Sequence, residues 1–282
     1  MDVTGTAQRL AVIPGDDRPV IHGGEVRVVE HEATGSHYMR LVLEAPAIAA
    51  SALPGQFVML TAARAGETVP ALPRPMAIYA IDTVRGLVTI VYALVGRGTR
   101  RLAEFTPGES MHVVGPLGRG FDIPLRTDAV LLLGRGIGTC SLTTVAEYDA
   151  RAGIETYAVT SARTRRALVG GDLYRAMGAS VVLEVTDDEG TSAPDAVFAR
   201  LVGMVDDRPP QLVLVCGSNR LTAVALQLGE RWGASVQVSL EAHMACGIGY
   251  CHGCSTGERT SALEEPLVCK AGPVFAVAGR GC

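Results

Sequence analysis

Lysine is all but missing from this sequence: Lys270 is the only one among 25 basic residues, a bias of composition rather than of chemistry. Aromatic residues are scarce at 5%, and the formal charge is −4, so there is no basic surplus to neutralise a nucleic-acid backbone. No apolar run approaches the ~20 residues that a membrane helix needs; the run over 129–133 is among the longest. Residues 1–17 lack the basic start and apolar stretch of a secretory signal. These absences argue against a membrane span and an exported disulfide scaffold. They place the chain in the cytoplasm, where thiols stay reduced.

Glycine is abundant instead, with 33 among 282 residues, against an average usage of about 7%. Hydrophobic residues make up 48% and charged residues 19%, a globular balance long enough for two modest domains. Of the seven cysteines, Cys246, Cys251, Cys254 and Cys269 crowd into one short stretch near the C-terminus.

Organisation changes along the chain. Residues 1–23, with Pro14, Gly15 and Pro19, read as a flexible leader. Short β-prone runs follow over 24–31, 37–45, 56–62, 76–82, 87–95 and 110–114. Turn residues separate them, as a barrel or sandwich requires. From about residue 126 the pattern alternates. Strands are predicted over 129–133, 155–160, 180–186, 211–215 and 235–238, with helices over 139–151, 172–177, 194–205 and 221–232. Strand–helix alternation argues for βαβ units and a parallel sheet. The tail from about residue 240 has neither period, so a bound centre is expected to organise it. The expected division is therefore a leader over 1–23, a β-barrel over 24–125, an α/β domain over 126–239 and a cysteine-rich segment over 240–282.

The cysteine spacing is Cys246-x4-Cys251-x2-Cys254-x14-Cys269. C-x4-C-x2-C with a distant fourth cysteine is the plant-type [2Fe–2S] pattern. Gly247, Gly249 and Gly253 would let the backbone turn sharply around the sulfurs. Structural zinc is the alternative, although zinc sites usually pair two short hooks. His252 inside the loop reads as a solvent-facing or supporting residue, since four cysteines already suffice.

Several glycine loops stand where nucleotides bind. Leu133-Gly134-Arg135-Gly136-Ile137-Gly138 ends a strand and opens a helix, as a dinucleotide loop does, but it also reads as a tight βα turn. Cys216-Gly217 closes a later parallel strand. Ligands in open α/β sheets lie beyond the carboxyl ends of strands, so Cys216 stands where a nicotinamide ring would lie, or it is a small buried hydrophobe. Arg74 beside Pro75 could hold a phosphate, although a lone Arg-Pro reads first as solvated surface, and Gly96-Arg97-Gly98-Thr99 leads into a helix predicted over 100–105. Gly115-Pro116-Leu117-Gly118 reads as a turn-rich link. Arg163-Thr164-Arg165-Arg166 follows the second α/β strand. An acid there favours NAD and an arginine accepts a 2′-phosphate; the basic run reads first as a solvated charge run, and NADP use stays open beside NAD.

Taken together and in order, these motifs resemble the electron-transfer subunit of NAD-dependent dihydroorotate dehydrogenase, within the ferredoxin reductase superfamily. The matching stretches are 72–78, 95–99, 114–121, 132–138, 186–191, 215–217, 239–254 and 268–275. The most specific is Ser239-Leu240-Glu241-Ala242-His243-Met244-Ala245-Cys246-Gly247-Ile248-Gly249, which is similar to the family's S-L-E-x-x-M-A-C-G-I-G.

The resemblance implies an FAD-binding barrel, with Arg74, Gly96, Gly98 and Thr99 at the phosphates and Pro75, Met76, Ala77 and Ile78 along the flavin. It implies an NAD(P)-binding α/β domain, with Gly134, Gly136, Gly138, Cys216 and Gly217 near the nicotinamide. Cys246, Cys251, Cys254 and Cys269 would hold the [2Fe–2S] cluster. Electrons would pass to or from an FMN-containing dihydroorotate dehydrogenase catalytic subunit of pyrimidine biosynthesis, in a heterotetramer, with no membrane or nucleic-acid partner and no acid–base catalytic residues.

The chain departs from the pattern in four places. Ala77 replaces a Ser or Thr, Arg135 replaces the second of three glycines, and Thr139-Cys140-Ser141-Leu142 replaces A-P-L. Thr186-Asp187-Asp188-Glu189-Gly190 carries one extra residue. Two other readings compete: a reductase subunit serving a hydrogenase, a ferredoxin or another oxidase, and a non-catalytic zinc-bound scaffold. Cys140 and Cys282 have no assigned role.

Overall fold

The computed structural model describes residues 10–13, 20–257 and 265–277. Most of the expected leader and Cys282 lie outside the described residues. The chain divides into two units, each discontinuous in sequence.

A first strand, β1 (Leu10–Val12), belongs to the α/β unit; the barrel unit follows it. Its elements are β2 (His22–Thr34), β3 (Tyr38–Glu44), α1 (Pro46–Ser51), β4 (Phe57–Leu60), β5 (Arg74–Asp82), β6 (Leu87–Ala93), α2 (Arg97–Leu102) and β7 (Ser110–Leu117). The strands close in the order β2-β3-β6-β5-β4-β7, and every pairing is antiparallel. Closure leaves no unpaired edge. Val28, Leu41, Val58, Leu60, Ile78, Ile90 and Met111 fill the interior. Alternation along each strand supplies these inward positions.

Gly115-Pro116-Leu117 is not a link but the end of β7. Gly115 fits because it lies under β4: a Cβ there would come within 2.6 Å of a Val58 methyl. The helix near residue 100 also starts earlier than its sequence suggests, at Arg97, because the Thr99 hydroxyl accepts the N–H groups of Val95 and Gly96 at 3.0 Å each.

The α/β unit continues with β8 (Ala129–Arg135), a 3-10 turn (Gly136–Ser141), α3 (Thr143–Ala152), β9 (Glu155–Ala162), α4 (Gly171–Ala176) and β10 (Val181–Thr186). Then come α5 (Pro194–Val205), β11 (Leu212–Cys216), α6 (Asn219–Trp232) and β12 (Ser235–Ser239), followed by α7 (Val268–Ala271) of the barrel unit and β13 (Val274–Val277). The sheet order is β1-β13-β12-β11-β8-β9-β10, with β8 to β12 parallel and β13 and β1 antiparallel at one edge. Strand β8 is apolar and buried from Ala129 to Gly134 because both its faces are covered. Leu131 and Leu133 meet Val197, Leu201 and Val224 of α5 and α6, while Val130 and Leu132 meet Leu142, Val145 and Tyr174 on the other side.

Two features escape the sequence pattern. Strands β1 and β13 are short, and each forms only by pairing with the other or with β12. Residues 242–273 of the cysteine-rich stretch group with the barrel unit, and the chain then returns to the sheet as β13. The physical reason is packing. Gly247 adopts φ +71° and sits so close to β4 that a Cβ would lie 2.5 Å from Cγ of Met59. Arg119 N–H donates to the Gly272 carbonyl at 2.6 Å and closes the other end of the segment.

Asp149 of α3 is fully buried, with one oxygen accepting the Thr156 hydroxyl at 3.1 Å and the other unpartnered. Burial lifts its carboxyl to about 7, against the opposing Thr156 bond. The raised value means that the fold holds a proton the unfolded chain releases. That contribution is complete below pH 4 and is lost as pH rises toward 7, amounting to about 4 kcal/mol at most. Asp149→Asn is expected to flatten this slope and to stabilise the protein at pH 8, as urea unfolding across pH 5–8 will read. An unchanged slope would show that Asp149 ionises freely in the fold.

Candidate functional site

The residues singled out by sequence fall into three groups, two on the barrel unit and one on the α/β unit. The first is the Arg74 group. Arg74 opens β5, and its Nη1 donates to the Leu72 carbonyl at 2.6 Å. Its guanidinium lies directly against the first turn of α2, because a Cβ on Gly98 would sit 2.1 Å from Nε and 2.4 Å from Nη2. Glycine at 98 therefore keeps a planar cation beside the backbone N–H groups that start a helix, a combination suited to phosphate oxygens. The Thr99 hydroxyl is spent on its own turn, where it accepts two N–H groups and donates to Gly96.

Residues along β5 divide by alternation. Ile78 is wholly buried in the barrel interior and Met76 packs against that core. Their side chains therefore face the core, which narrows the expected flavin contact to the other face, carrying Pro75 and Ala77. Both are half-buried.

The second group is the thiol loop. Cys254 and Cys269 are buried, Cys246 is half-buried and Cys251 is exposed. The sulfurs are arranged as two pairs. Cys246 Sγ accepts the Cys251 N–H at 3.4 Å, and Cys254 Sγ accepts the Cys269 N–H at 3.4 Å. Burial pushes the Cys246 thiol up, but the N–H groups of Cys251, Ile248 and Tyr250 together outweigh it and hold the thiol at about 7. Burial and the neighbouring Cys254 thiol push Cys269 up to about 12. Among the described residues no three His, Cys, Asp or Glu side chains converge on one metal ion. Two thiol pairs, each receiving backbone N–H groups, suit a centre with two metals better than a single zinc, since N–H groups donated to sulfur stabilise thiolate charge. His252 is exposed in the left-handed region at φ +55°. A Cβ on Gly253 would meet Sγ of Cys251 only at an ordinary 3.6 Å, so space does not demand glycine there.

The third group lies at the carboxyl ends of β8 and β11, where Gly134 and Cys216 are register partners. Gly138 packs on Gly217 so closely that a Cβ on Gly138 would be 2.7 Å from Gly217 Cα. Gly217 itself has φ +99°, and a Cβ there would lie 2.3 Å from the Arg135 carbonyl oxygen. Gly136 has open space around it. Cys216 is buried, and burial together with the Glu241 charge pushes its thiol up to about 12, against the hydroxyls of Ser141 and Ser239. A thiol held so high is a small neutral surface and no nucleophile.

Sequence reasoning missed three of these neighbours: Ser141, Ser239 and Glu241. Glu241 is exposed as a residue, yet the protein mass around its carboxyl raises its pKa. Its signal was its place in the Ser239-Leu240-Glu241 run, to which no role had been attached. Cys140 is fully buried, and burial raises its thiol.

Arg135 does not point at open solvent. Its Nη1 donates to Ser161 Oγ at 2.8 Å and its Nη2 to Asp187 Oδ2 at 2.6 Å. Asp187 also accepts from Ser192, and from Arg220 at 3.2 Å. Arg135 first, then Ser192, hold the Asp187 carboxyl well below the usual range.

No helix among the described residues is long and apolar enough to cross a membrane. Residues 241–278 match the iron–sulfur cluster binding domain of dihydroorotate dehydrogenase B. The chain resembles, in fold, the solved structure of an NADH-dependent reduced ferredoxin-NADP oxidoreductase, at TM-score 0.72 and 24% identity over 89% of this chain and 87% of that one. Phthalate dioxygenase reductase is a more distant likeness, at TM-score 0.55 and 16% identity over 74% of this chain and 65% of that one. Among curated proteins, the dihydroorotate dehydrogenase B (NAD(+)) electron transfer subunit of Desulforamulus reducens is 31% identical, covering 90% of this chain and 96% of its own length. The Bacillus caldolyticus protein of the same name is 32% identical over 79% of this chain and 84% of its own length. With its barrel, its parallel sheet and its cysteine-rich segment, the chain belongs to the family of dihydroorotate dehydrogenase B electron transfer subunits.

Proposed function

We propose that this cytoplasmic subunit passes electrons between NAD(P)(H), FAD and a [2Fe–2S] cluster, to or from an FMN-containing dihydroorotate dehydrogenase catalytic subunit in pyrimidine biosynthesis, as part of a heterotetramer. The observation that carries the reading is the thiol loop. Four cysteines form two N–H-supported pairs on a segment packed against the same barrel that holds the Arg74 group. A bound flavin would supply conversion of the electron pair of one hydride into two single electrons, and a bound cluster one-electron transfer.

The chain's own residues supply binding and placement. Arg74, with Gly98 beneath it, holds the flavin phosphates, and Pro75 and Ala77 line the ring. Gly138 and Gly217 bring two backbone turns together so that a nicotinamide can approach without meeting a side chain. Cys216 offers it an uncharged floor. Cys246, Cys251, Cys254 and Cys269 are the residues that would hold the cluster, which would supply one-electron transfer there. Cys251 and the exposed Ile248 and Tyr250 are the parts of this loop that a partner subunit reaches.

The test is reconstitution. Purified chain is expected to carry FAD and two irons, and to support NAD(P)-dependent dihydroorotate oxidation only when mixed with the FMN subunit. Zinc in place of iron, or no turnover from the complete pair, would sink the assignment. A narrower prediction concerns flavin alone. Arg74→Ala is expected to weaken FAD binding about 10- to 100-fold, in the range of a lost charge-assisted phosphate contact. Gly98→Ala, which displaces the guanidinium, is expected to weaken it by less. Fluorescence titration of the apoprotein reads both, and unaltered affinity in Arg74→Ala would remove Arg74 from the site.

A further inference from the structure

The arginine run after β9 has no part in the scheme above, and its surroundings favour one kind of ligand. Strand β9 ends at Ala162, and Arg163, Thr164, Arg165 and Arg166 follow, all exposed. The carboxyl end of the second strand of a dinucleotide-binding unit faces the adenosine ribose. A free carboxylate there accepts both ribose hydroxyls, whereas a guanidinium takes a 2′-phosphate.

The nearby acids are largely engaged. Asp187 is held by Arg135, Ser192 and Arg220. Glu189, in the run that is one residue longer than the family pattern, is gripped by Arg165 at 2.9 and 3.1 Å. Glu184 takes Arg175 at 3.0 Å and Arg165 at 3.8 Å. Asp188 adds its field to Arg165, and its N–H donates to the Arg163 carbonyl at 3.1 Å. Among the described residues, the Arg163 side chain has neither an ion pair nor a hydrogen bond. Arg135, standing where the family has glycine, thus withdraws Asp187 from ribose recognition, and Arg163 is left as an unspent cation at the strand end.

We propose that Arg163 binds the 2′-phosphate of the dinucleotide, so that this subunit prefers NADP(H) to NAD(H). The proposal rests on the reading that the α/β unit binds a dinucleotide. Two probes separate the claims: adenosine 2′,5′-bisphosphate and 5′-ADP, titrated by calorimetry into the purified full-length holoprotein. The bisphosphate is expected to bind at least about tenfold more tightly, as one charge-assisted contact provides, with the advantage shrinking as salt rises.

Arg163→Gln is expected to erase that advantage and leave 5′-ADP affinity and the thermal midpoint unchanged. The NADPH-to-NADH ratio of kcat/KM should fall by the same factor. Equal affinities, or tighter 5′-ADP, would overturn the preference while sparing the dinucleotide reading, and would hand the ribose to Asp188. An equal loss of both probes in Arg163→Gln would overturn the role of Arg163. Failure of both probes to bind the native protein would overturn the dinucleotide reading itself.

Discussion

Replacing Cys254 with serine is expected to strip the iron from the protein and to abolish electron delivery to a partner, while NAD(P)H still reduces the flavin. Cys254 is 4% exposed, its sulfur accepts the Cys269 N–H, and its carbonyl accepts the Val268 N–H at 2.9 Å. It therefore ties the near and far parts of the thiol segment together even before metal is considered. A serine hydroxyl stays protonated at neutral pH and is a poor match for iron that favours soft thiolates. The loss should exceed 100-fold in reduction of a one-electron acceptor, at roughly the level of a missing cofactor. Cys140→Ser is the matched control, because Cys140 is fully buried in the α/β unit, away from the thiol loop in sequence and in unit. Iron analysis and a visible spectrum decide the matter. Full iron content in serine variants of all four loop cysteines would refute the ligand set.

Gly217→Ala is expected to cost about 3 kcal/mol and to raise the KM for the nicotinamide nucleotide. The residue sits at φ +99°, where a side chain is strained, and its Cβ would strike the Arg135 carbonyl oxygen at 2.3 Å. The obstacle is backbone, held by the pairing of Arg135 with Ser161 across β8 and β9, so it cannot swing aside as a side chain tip would. The methyl also intrudes between two turns that touch at Gly138, so binding and stability fall together. Gly253→Ala is the contrast: its Cβ meets nothing closer than 3.6 Å, and near-neutral stability is expected. Urea unfolding reads both variants. A Gly217→Ala midpoint equal to that of the native protein would show that the two turns are free to separate.

Much of this arrangement was legible from one-dimensional pattern. Period-two runs between turn residues specified strands, and the apolar run ending at Gly134 specified a strand buried on both faces. Residues 194–205 read as a helix and α5 spans Pro194–Val205, since proline at its first turn and the apolar stripe act locally. The crowding of four cysteines was legible because their spacing is a property of the chain itself.

Other features depend on groups far apart in sequence, which no local pattern carries. Arg74 and Gly98 meet only because β5 and α2 are brought together on the barrel, and Ile78 turns inward because strand alternation was fixed by the closed barrel. Arg135 finds Asp187 across three parallel strands, and Ser141, Ser239 and Glu241 converge on Cys216 from three separate connections. The sequence alone determined which elements form and where four soft sulfur atoms crowd together, because propensity, periodicity and residue spacing reside in short stretches. Only the tertiary structure decided which cations stay unpaired, which thiols pair and which side chains face inward, because charge compensation and burial depend on neighbours supplied by distant parts of the chain.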